Sequence, residues 1–258
     1  MLIPNACYII GSGASIRNSK WNIPAQDLPI WNILKDKFTV SLNWGYKFIN
    51  PTVELFVDYR FIDTQLDKLK ELNLLVCKDD PFFIREKDKY VEIINKNLFL
   101  LKNSTTYTGS RAWKDGFFCG QLSGIYAISF VIELGVKNIY LLGYDANETD
   151  GYTHFYQDDG VTGHMKWDNQ NQTGVGKDSR GYYNTGTYNK DVNTWFDPFK
   201  FVNNVNIFNV NMKSGINIFP KISYETMFND LIKENQNINQ LETQEHIKEI
   251  INVKTSEL

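Results

Sequence analysis

The side chains best suited to chemistry gather in one stretch of the chain: Asp145, Asp150, Tyr152, His154, Tyr156, Asp158, Asp159 and His164. The whole sequence holds only three histidines, and two of them lie here. An imidazole near its reference pKa of ~6.5 is well matched to deprotonating a hydroxyl at neutral pH, so His154 and His164 are alternative candidates for a general base. Tyr152 and Tyr156 offer hydroxyl donors that would stabilise charge developing on a departing phosphate. Asp145 is the first acid beyond an apolar run and opens the stretch. Acids and histidines together would also hold a divalent cation, although no spacing here is diagnostic of a metal centre. A histidine in a polar loop is otherwise simply solvated, and that remains the competing reading for each of the two.

Smaller motifs lie upstream, each at the end of an apolar run. Gly11-Ser12-Gly13-Ala14-Ser15 follows the first such run. Glycines there let the backbone turn tightly and approach a ligand, and a following helix would offer unpaired N–H groups to an anion. The third glycine of a dinucleotide fingerprint is missing, with Ile16 in its place, and Ser15 is equally able to cap a helix. Asn43 and Asp58 close two further runs and would bond a ribose, a base edge or a sugar hydroxyl; otherwise each caps its own turn. Ser123-Gly124 opens a helical pattern that leads to Gly143-Tyr144-Asp145. Small residues at a helix start can meet a nucleotide phosphate, and helix packing explains them as well.

These motifs need elements to carry them. Short β-branched runs at Cys7 to Ile10, Phe38 to Leu42, Glu54 to Val57, Leu74 to Cys77, Leu98 to Leu101, Asn138 to Leu142 and Val205 to Val210 read as strands. Asp63 to Leu72 and Gln121 to Leu134 read as helices, the second ending at Gly135, where a left-handed residue suits a helix terminus. Alternation of this kind predicts a doubly wound, Rossmann-like α/β fold with a mainly parallel sheet. From 146 to 200 the texture turns irregular and rich in aromatics: Tyr152, Phe155, Tyr156, Trp167, Tyr182, Tyr183, Tyr188 and Trp195. An aromatic loop of that length is expected to form an ordered lid. The expected division is a nucleotide-binding domain over 1–225, lid included, and a helical extension over 226–258. The tail spaces Met227, Leu231, Ile238, Leu241, Ile247 and Ile250 as one apolar stripe or two, suited to core packing or to contact with a second copy.

Composition narrows the classes. With 258 residues, 42% hydrophobic and 22% charged, the chain reads as an ordinary globular protein, neither fibrous nor disordered. Its 27 basic and 30 acidic side chains leave a formal net charge of −3, which supplies no broad cationic field for nucleic acid. Cys7, Cys77 and Cys119 are far apart and odd in number, against a disulfide framework or a zinc site. The opening MLIPNACYII has no basic region ahead of its apolar stretch, and no stretch approaches the roughly 20 apolar residues of a membrane span. A cytoplasmic protein is expected.

Taken together, Tyr8-Ile-Ile-Gly-Ser-Gly-Ala-Ser-Ile16, Ser41-Leu-Asn43, Ser123-Gly-Ile-Tyr-Ala-Ile128 and Gly135-Val-Lys-Asn-Ile-Tyr-Leu-Leu-Gly-Tyr-Asp145 resemble the bacterial sialyltransferases. They are also similar to the related pterin-pyrophosphokinase-like proteins of bacteria and their phages. Thr153-His-Phe-Tyr156 and Phe208-Asn-Val-Asn-Met-Lys-Ser-Gly-Ile-Asn-Ile-Phe-Pro220 extend the likeness, so that the matching blocks span most of residues 6 to 225. The resemblance implies that the glycine turn and Ser123-Gly124 contact a cytidine nucleotide and that Asn43 and Asp58 face the sugar or ribose. It implies further that lid tyrosines meet the phosphate and that a lid histidine, His154 or His164, is the base. The sialyltransferase pattern has Asn where this chain has Ser12, and Arg-x-Thr where it has Gly120-Gln-Leu. An Asn and a Tyr of that pattern are replaced by Asp58 and Asn147. These departures bear on the sugar more than on the nucleotide.

The resulting expectation is a glycosyltransferase that moves a sugar from a nucleotide-sugar donor, a CMP-sugar among the candidates, to an acceptor hydroxyl of a glycan or small molecule. It would need no metal and no separate cofactor. The alternatives are a Mg-dependent pyrophosphoryl or nucleotidyl transferase with Asp145 on the metal, and a non-catalytic module that binds nucleotide-sugar or glycan on the aromatic loop.

Overall fold

The computed structural model describes residues 3–20, 22–57, 65–79, 90, 96–119, 122–147, 154–156, 192–234 and 237–256. Seven strands form one parallel sheet: β1 (Ala6–Ile10), β2 (Thr39–Leu42), β3 (Val53–Phe56), β4 (Leu75–Lys78), β5 (Leu98–Leu101), β8 (Asn138–Leu142) and β9 (Asn206–Asn209). Two short strands absent from the sequence reading, β6 (Asn103–Ser104) and β7 (Phe117–Phe118), pair with each other apart from it. The order across the main sheet is β5-β4-β3-β2-β1-β8-β9. From β1 the chain steps outward through β2 to β5, then returns to lay β8 on the other side of β1. Connections that leave β1 and β8 in opposite directions open a crevice at their carboxyl ends, the place where ligands bind in sheets of this kind.

Both faces of the sheet are buried, which is why its strands read as near-continuous apolar runs. Cys7, Ile9, Val40, Leu42, Val53, Leu55, Ile139 and Leu141 enter one cluster, beneath α2 (Ser123–Glu133). Their neighbours in sequence, Ala6, Tyr8, Ile10, Phe56, Leu75, Tyr140 and Leu142, enter the other, beneath α1 (Pro29–Leu34). Helix α2 follows its expected register: Ile125 and Ile128 are fully buried, and Gly135 takes φ +88° just beyond its end. The Tyr126 hydroxyl finds the Leu101 carbonyl at 2.7 Å, satisfying a polar tip that burial would otherwise penalise.

The polar C-terminal stretch forms α3 (Tyr224–Glu234) and α4 (Gln240–Ser256). Its apolar stripe divides between the two faces, with Met227 in the α1-side cluster and Ile247 in the α2-side cluster, while Leu241 stays 62% exposed. Glutamines fasten α4. Gln244 Nε2 donates to the Pro51 and Thr52 carbonyls at 3.3 and 3.1 Å, and Gln240 Nε2 to the Lys37 carbonyl at 3.0 Å. Met227, Ile247 and Ile251 thus serve the core. Among the described residues no helix is long and apolar enough to cross a membrane. The three cysteines are buried thiols.

Glu133, the last residue of α2, is half-buried, and desolvation pushes its carboxyl from 4.5 up to about 7. A raised carboxyl pKa favours the folded state while the acid is protonated. That contribution is complete below about 4.5 and is lost as pH rises to about 7. Glu133→Gln should therefore flatten the fall in stability between those two values, read as denaturation midpoints of variant and parent at a series of pH values.

Candidate functional site

The crevice at the carboxyl ends of β1 and β8 is built from two turns pressed together. Gly11 N–H donates to the Leu142 carbonyl at 2.7 Å, prolonging the β1/β8 ladder, and Gly13 N–H donates to the Gly143 carbonyl at 3.0 Å. A Cβ on Gly11 would lie 2.7 Å from Gly143 O, and one on Gly13 would lie 2.5 Å from Asp145 Cγ. The two glycines are demanded by this approach of backbone to backbone, before any ligand is considered. Gly143 itself takes φ +69°.

Asp145 locks the two turns. Its carboxylate, on a residue only 3% exposed, accepts the Ser15 N–H at 2.8 Å, the Ser15 hydroxyl, and the Asn211 side-chain amide at 2.9 Å. The segment after Ser15 is a single 3-10 turn, Ala14–Arg17, with Gly13 as its N-cap. This corrects the expected helix with unpaired N–H groups: the element is one turn long, and the Ser15 donor is already taken by a protein carboxylate. Ser12 N–H has no partner among the described residues.

A third segment supports Asp145 from behind. Ser214 Oγ donates to the Tyr144 carbonyl at 2.7 Å, Asn209 Nδ2 donates to the same carbonyl at 2.9 Å, and Gly215 N–H donates to the Asp145 carbonyl at 2.7 Å. Tyr144 turns inward. Its ring covers Gly124, where a Cβ would lie 2.8 Å away, and its hydroxyl donates to the Gly124 carbonyl at 3.1 Å. Burial pushes that phenol well above its ordinary pKa. Ser123-Gly124 is thereby joined to the glycine turn through Gly143-Tyr144-Asp145.

Residues 154–156 reach the same place; 148–153 and 157–191, most of the expected lid, lie outside the described residues. Gly13 and His154 form an isolated antiparallel bridge, and Phe155 N–H donates to the Ser12 carbonyl at 3.1 Å. Phe155 is fully buried, its ring 4.9 Å from Phe48 and 5.5 Å from Trp31. Tyr156, 3% exposed, stacks on Phe48 at 6.1 Å, with the His154 ring 5.3 Å away. Arg17, 2% exposed, donates from Nε to the Phe155 carbonyl at 2.5 Å. Residues 154–156 are therefore pinned to the glycine turn by backbone bonds on one side and by an aromatic plug on the other.

Asn43 stands at the carboxyl end of β2 with φ +56°, and its side chain makes no hydrogen bond among the described residues. Gly11, Ser12, Gly13, Ala14, Ser15, Gly143, Tyr144, Asp145 and His154 thus come together at one crevice. Ser123 and Gly124 join it through Tyr144, Tyr156 joins it through the aromatic plug, and Asn43 stands at the neighbouring strand end. Asp58, Tyr152 and His164 lie outside the described residues, as do Asp150, Asp158 and Asp159. Among the described residues no three His, Cys, Asp or Glu side chains gather as metal ligands would.

Reading by motif missed several residues that build the site: Arg17, Asn209, Asn211, Ser214 and Glu54. Glu54 alone carried a local signal, a carboxyl inside an apolar strand facing Ser41 on the next strand.

No family model matches the chain, and no curated protein matches it by sequence. Among solved structures it is similar to the sialyltransferase CstII from Campylobacter jejuni in complex with the substrate analogue CMP-3FNeuAc. The identity is 14% and the TM-score 0.42, over 84% of this chain and 85% of that one. At that identity and score the likeness assigns neither an activity nor a substrate.

Asp145→Ala should destabilise the fold by about 2–4 kcal/mol, because it strands the Ser15 and Asn211 donors in a buried place. Urea denaturation of the variant checks this. A midpoint equal to that of the parent would show that Asp145 does not lock the turns.

Proposed function

We propose that the chain is a nucleotide-sugar-dependent glycosyltransferase, sialyltransferase-like, that transfers a sugar to an acceptor hydroxyl by a single displacement without a metal. The observation that carries this reading is the bridge between Gly13 and His154, which holds an imidazole-bearing residue against the glycine turn where the sheet's connections diverge. The resemblance of residues 8–16, 41–43 and 135–145 to the sialyltransferase motifs supports it.

In this mechanism His154 takes the acceptor's hydroxyl proton while the acceptor oxygen attacks the anomeric carbon of the donor. The bond from that carbon to the phosphate oxygen breaks, and the nucleotide leaves with both bonding electrons. Ser12 N–H, without a partner among the described residues, is a backbone donor for the leaving phosphate, and Asn43 offers its amide to the ribose or sugar. His164 and Tyr152 remain the alternative base and a further phosphate donor.

The metal-dependent alternative asks Asp145 to ligate a cation, yet its carboxylate already accepts three hydrogen bonds from Ser15 and Asn211. Activity should accordingly be unchanged by excess EDTA. Loss of turnover on chelation, restored by Mg, would favour the alternative.

His154→Ala should lower turnover by about 10²- to 10⁴-fold while leaving the nucleotide's dissociation constant within a few-fold of the parent value. Steady-state rates alongside calorimetric titration with CMP, UDP, GDP and ADP check both halves. If turnover persists in His154→Ala and falls in His164→Ala, the base is His164. Full turnover in both would sink the mechanism.

A further inference from the structure

Glu54 is fully buried in the interior of β3, between the apolar residues Val53 and Leu55. A carboxyl in that place is costly unless it is neutral and hydrogen-bonded. Desolvation pushes its pKa well above the ordinary carboxylate value, against the opposing hydrogen bond from Ser41. It stands opposite Ser41 in the β2/β3 register, and the Ser41 hydroxyl donates to its Oε2. The backbone N–H of Tyr46 faces the same carboxyl. The other oxygen, Oε1, is buried with no hydrogen-bond partner among the described residues. The catalytic scheme above gives this group no part.

The carboxyl lies beneath one turn. β2 ends at Leu42, and the chain then passes Asn43 and Trp44 into the short 3-10 turn Gly45–Lys47. Gly45 rides directly on Ser41, since a Cβ there would come within 2.8 Å of the Ser41 Cβ. Asn43, in the left-handed region, is joined to β3 only by its N–H, which reaches the Leu55 carbonyl at 3.3 Å. The rest of the turn is held by Gly45 on Ser41 and Ser41 on Glu54, together with burial of the Trp44 and Phe48 rings. Tyr46 is anchored by its hydroxyl, which donates to Gln65 at 2.9 Å.

We propose that Glu54 is a positioning residue: through Ser41, on which Gly45 rides, it fixes the turn that presents Asn43 to the nucleotide-sugar. The proposal rests on the functional reading above and adds to it a residue that touches no ligand. A buried acid on the far side of a turn preorganises the exposed amide without being exposed to substrate itself. Lys47 and Tyr46 are the ionisable neighbours on the turn: burial first and then Glu54 push the Tyr46 phenol up, and no salt bridge to the carboxyl is formed among the described residues. The neutral isostere Gln should therefore serve as well as Glu.

The experiment is a double-mutant cycle on the full chain, titrating whichever of CMP, UDP, GDP and ADP raises the parent's melting temperature. Glu54→Leu and Asn43→Ala should each weaken binding by about tenfold, and the double variant should be no weaker than Asn43→Ala alone. Glu54→Gln should bind within about twofold of the parent, whereas a merely volume-filling role would leave Glu54→Leu at parent affinity as well. If Glu54→Leu does not fold, Ser41→Ala takes its place in the same cycle. Parent-like binding in Glu54→Leu, or losses that multiply to about a hundredfold in the double variant, would overturn the proposal. A parent that binds none of the four nucleotides would instead overturn the functional reading on which it rests.

Discussion

The carboxylate of Asp145 accepts hydrogen bonds from Ser15 and Asn211 in a nearly dry setting, and three parts of the chain meet on it. Ser15 belongs to the turn after β1, Asp145 follows β8, and Asn211 follows β9. These are adjacent strands in space but lie 130 and 66 residues apart in sequence. A buried carboxylate without donors would be strongly destabilising, so the three segments are obliged to close together. Their closure makes the glycines necessary, turns Tyr144 inward onto Gly124, and leaves the Ser12 carbonyl available to the lid. The crevice is therefore rigid on its β8 side.

The β2 side is held by a different device of the same kind. Glu54 and Ser41 bind across two strands beneath the turn that carries Asn43, just as Asp145 and Ser15 bind across the crevice. One carboxyl is satisfied by three donors. The other has its pKa raised by burial and has an oxygen without a partner among the described residues. Between these anchored turns the aromatic plug of Trp31, Phe48, Phe155 and Tyr156 holds residues 154–156 in place. A reacting group on His154 would then be placed by the backbone bonds of 154–156 to the glycine turn.

Much of this frame is legible in the sequence, because period-2 burial and helical spacing are local signals. β5 and β8 fall on the residues their apolar runs indicate, and Gly135 ends α2 with the left-handed φ its position suggests. What escapes local reading is contact between distant segments. Asn209, Asn211 and Ser214 look like ordinary turn residues until β9 lies beside β8. Glu54 marks the start of a strand when the run is taken from Glu54 to Val57. The strand begins at Val53, which moves the carboxyl into the sheet interior and gives it a cross-strand partner. The glycine turn is visible in the sequence, but the shortness of the element after it is not: Ala14–Arg17 is a single 3-10 turn whose Ser15 N–H is held by Asp145.

The central claim is that the crevice between β1 and β8 is a nucleotide site whose walls are set in advance by Asp145 and Glu54. A crystal structure of the chain with a bound nucleotide, soaked in turn with CMP, UDP, GDP and ADP, tests this most directly. The phosphate should lie against Ser12 and Gly13 with the sugar ring within reach of Asn43, and the Asp145 bonds to Ser15 and Asn211 should be unchanged. Nucleotide found away from the carboxyl ends of β1 and β8, or seated there only after Asp145 has left Ser15, would contradict the account.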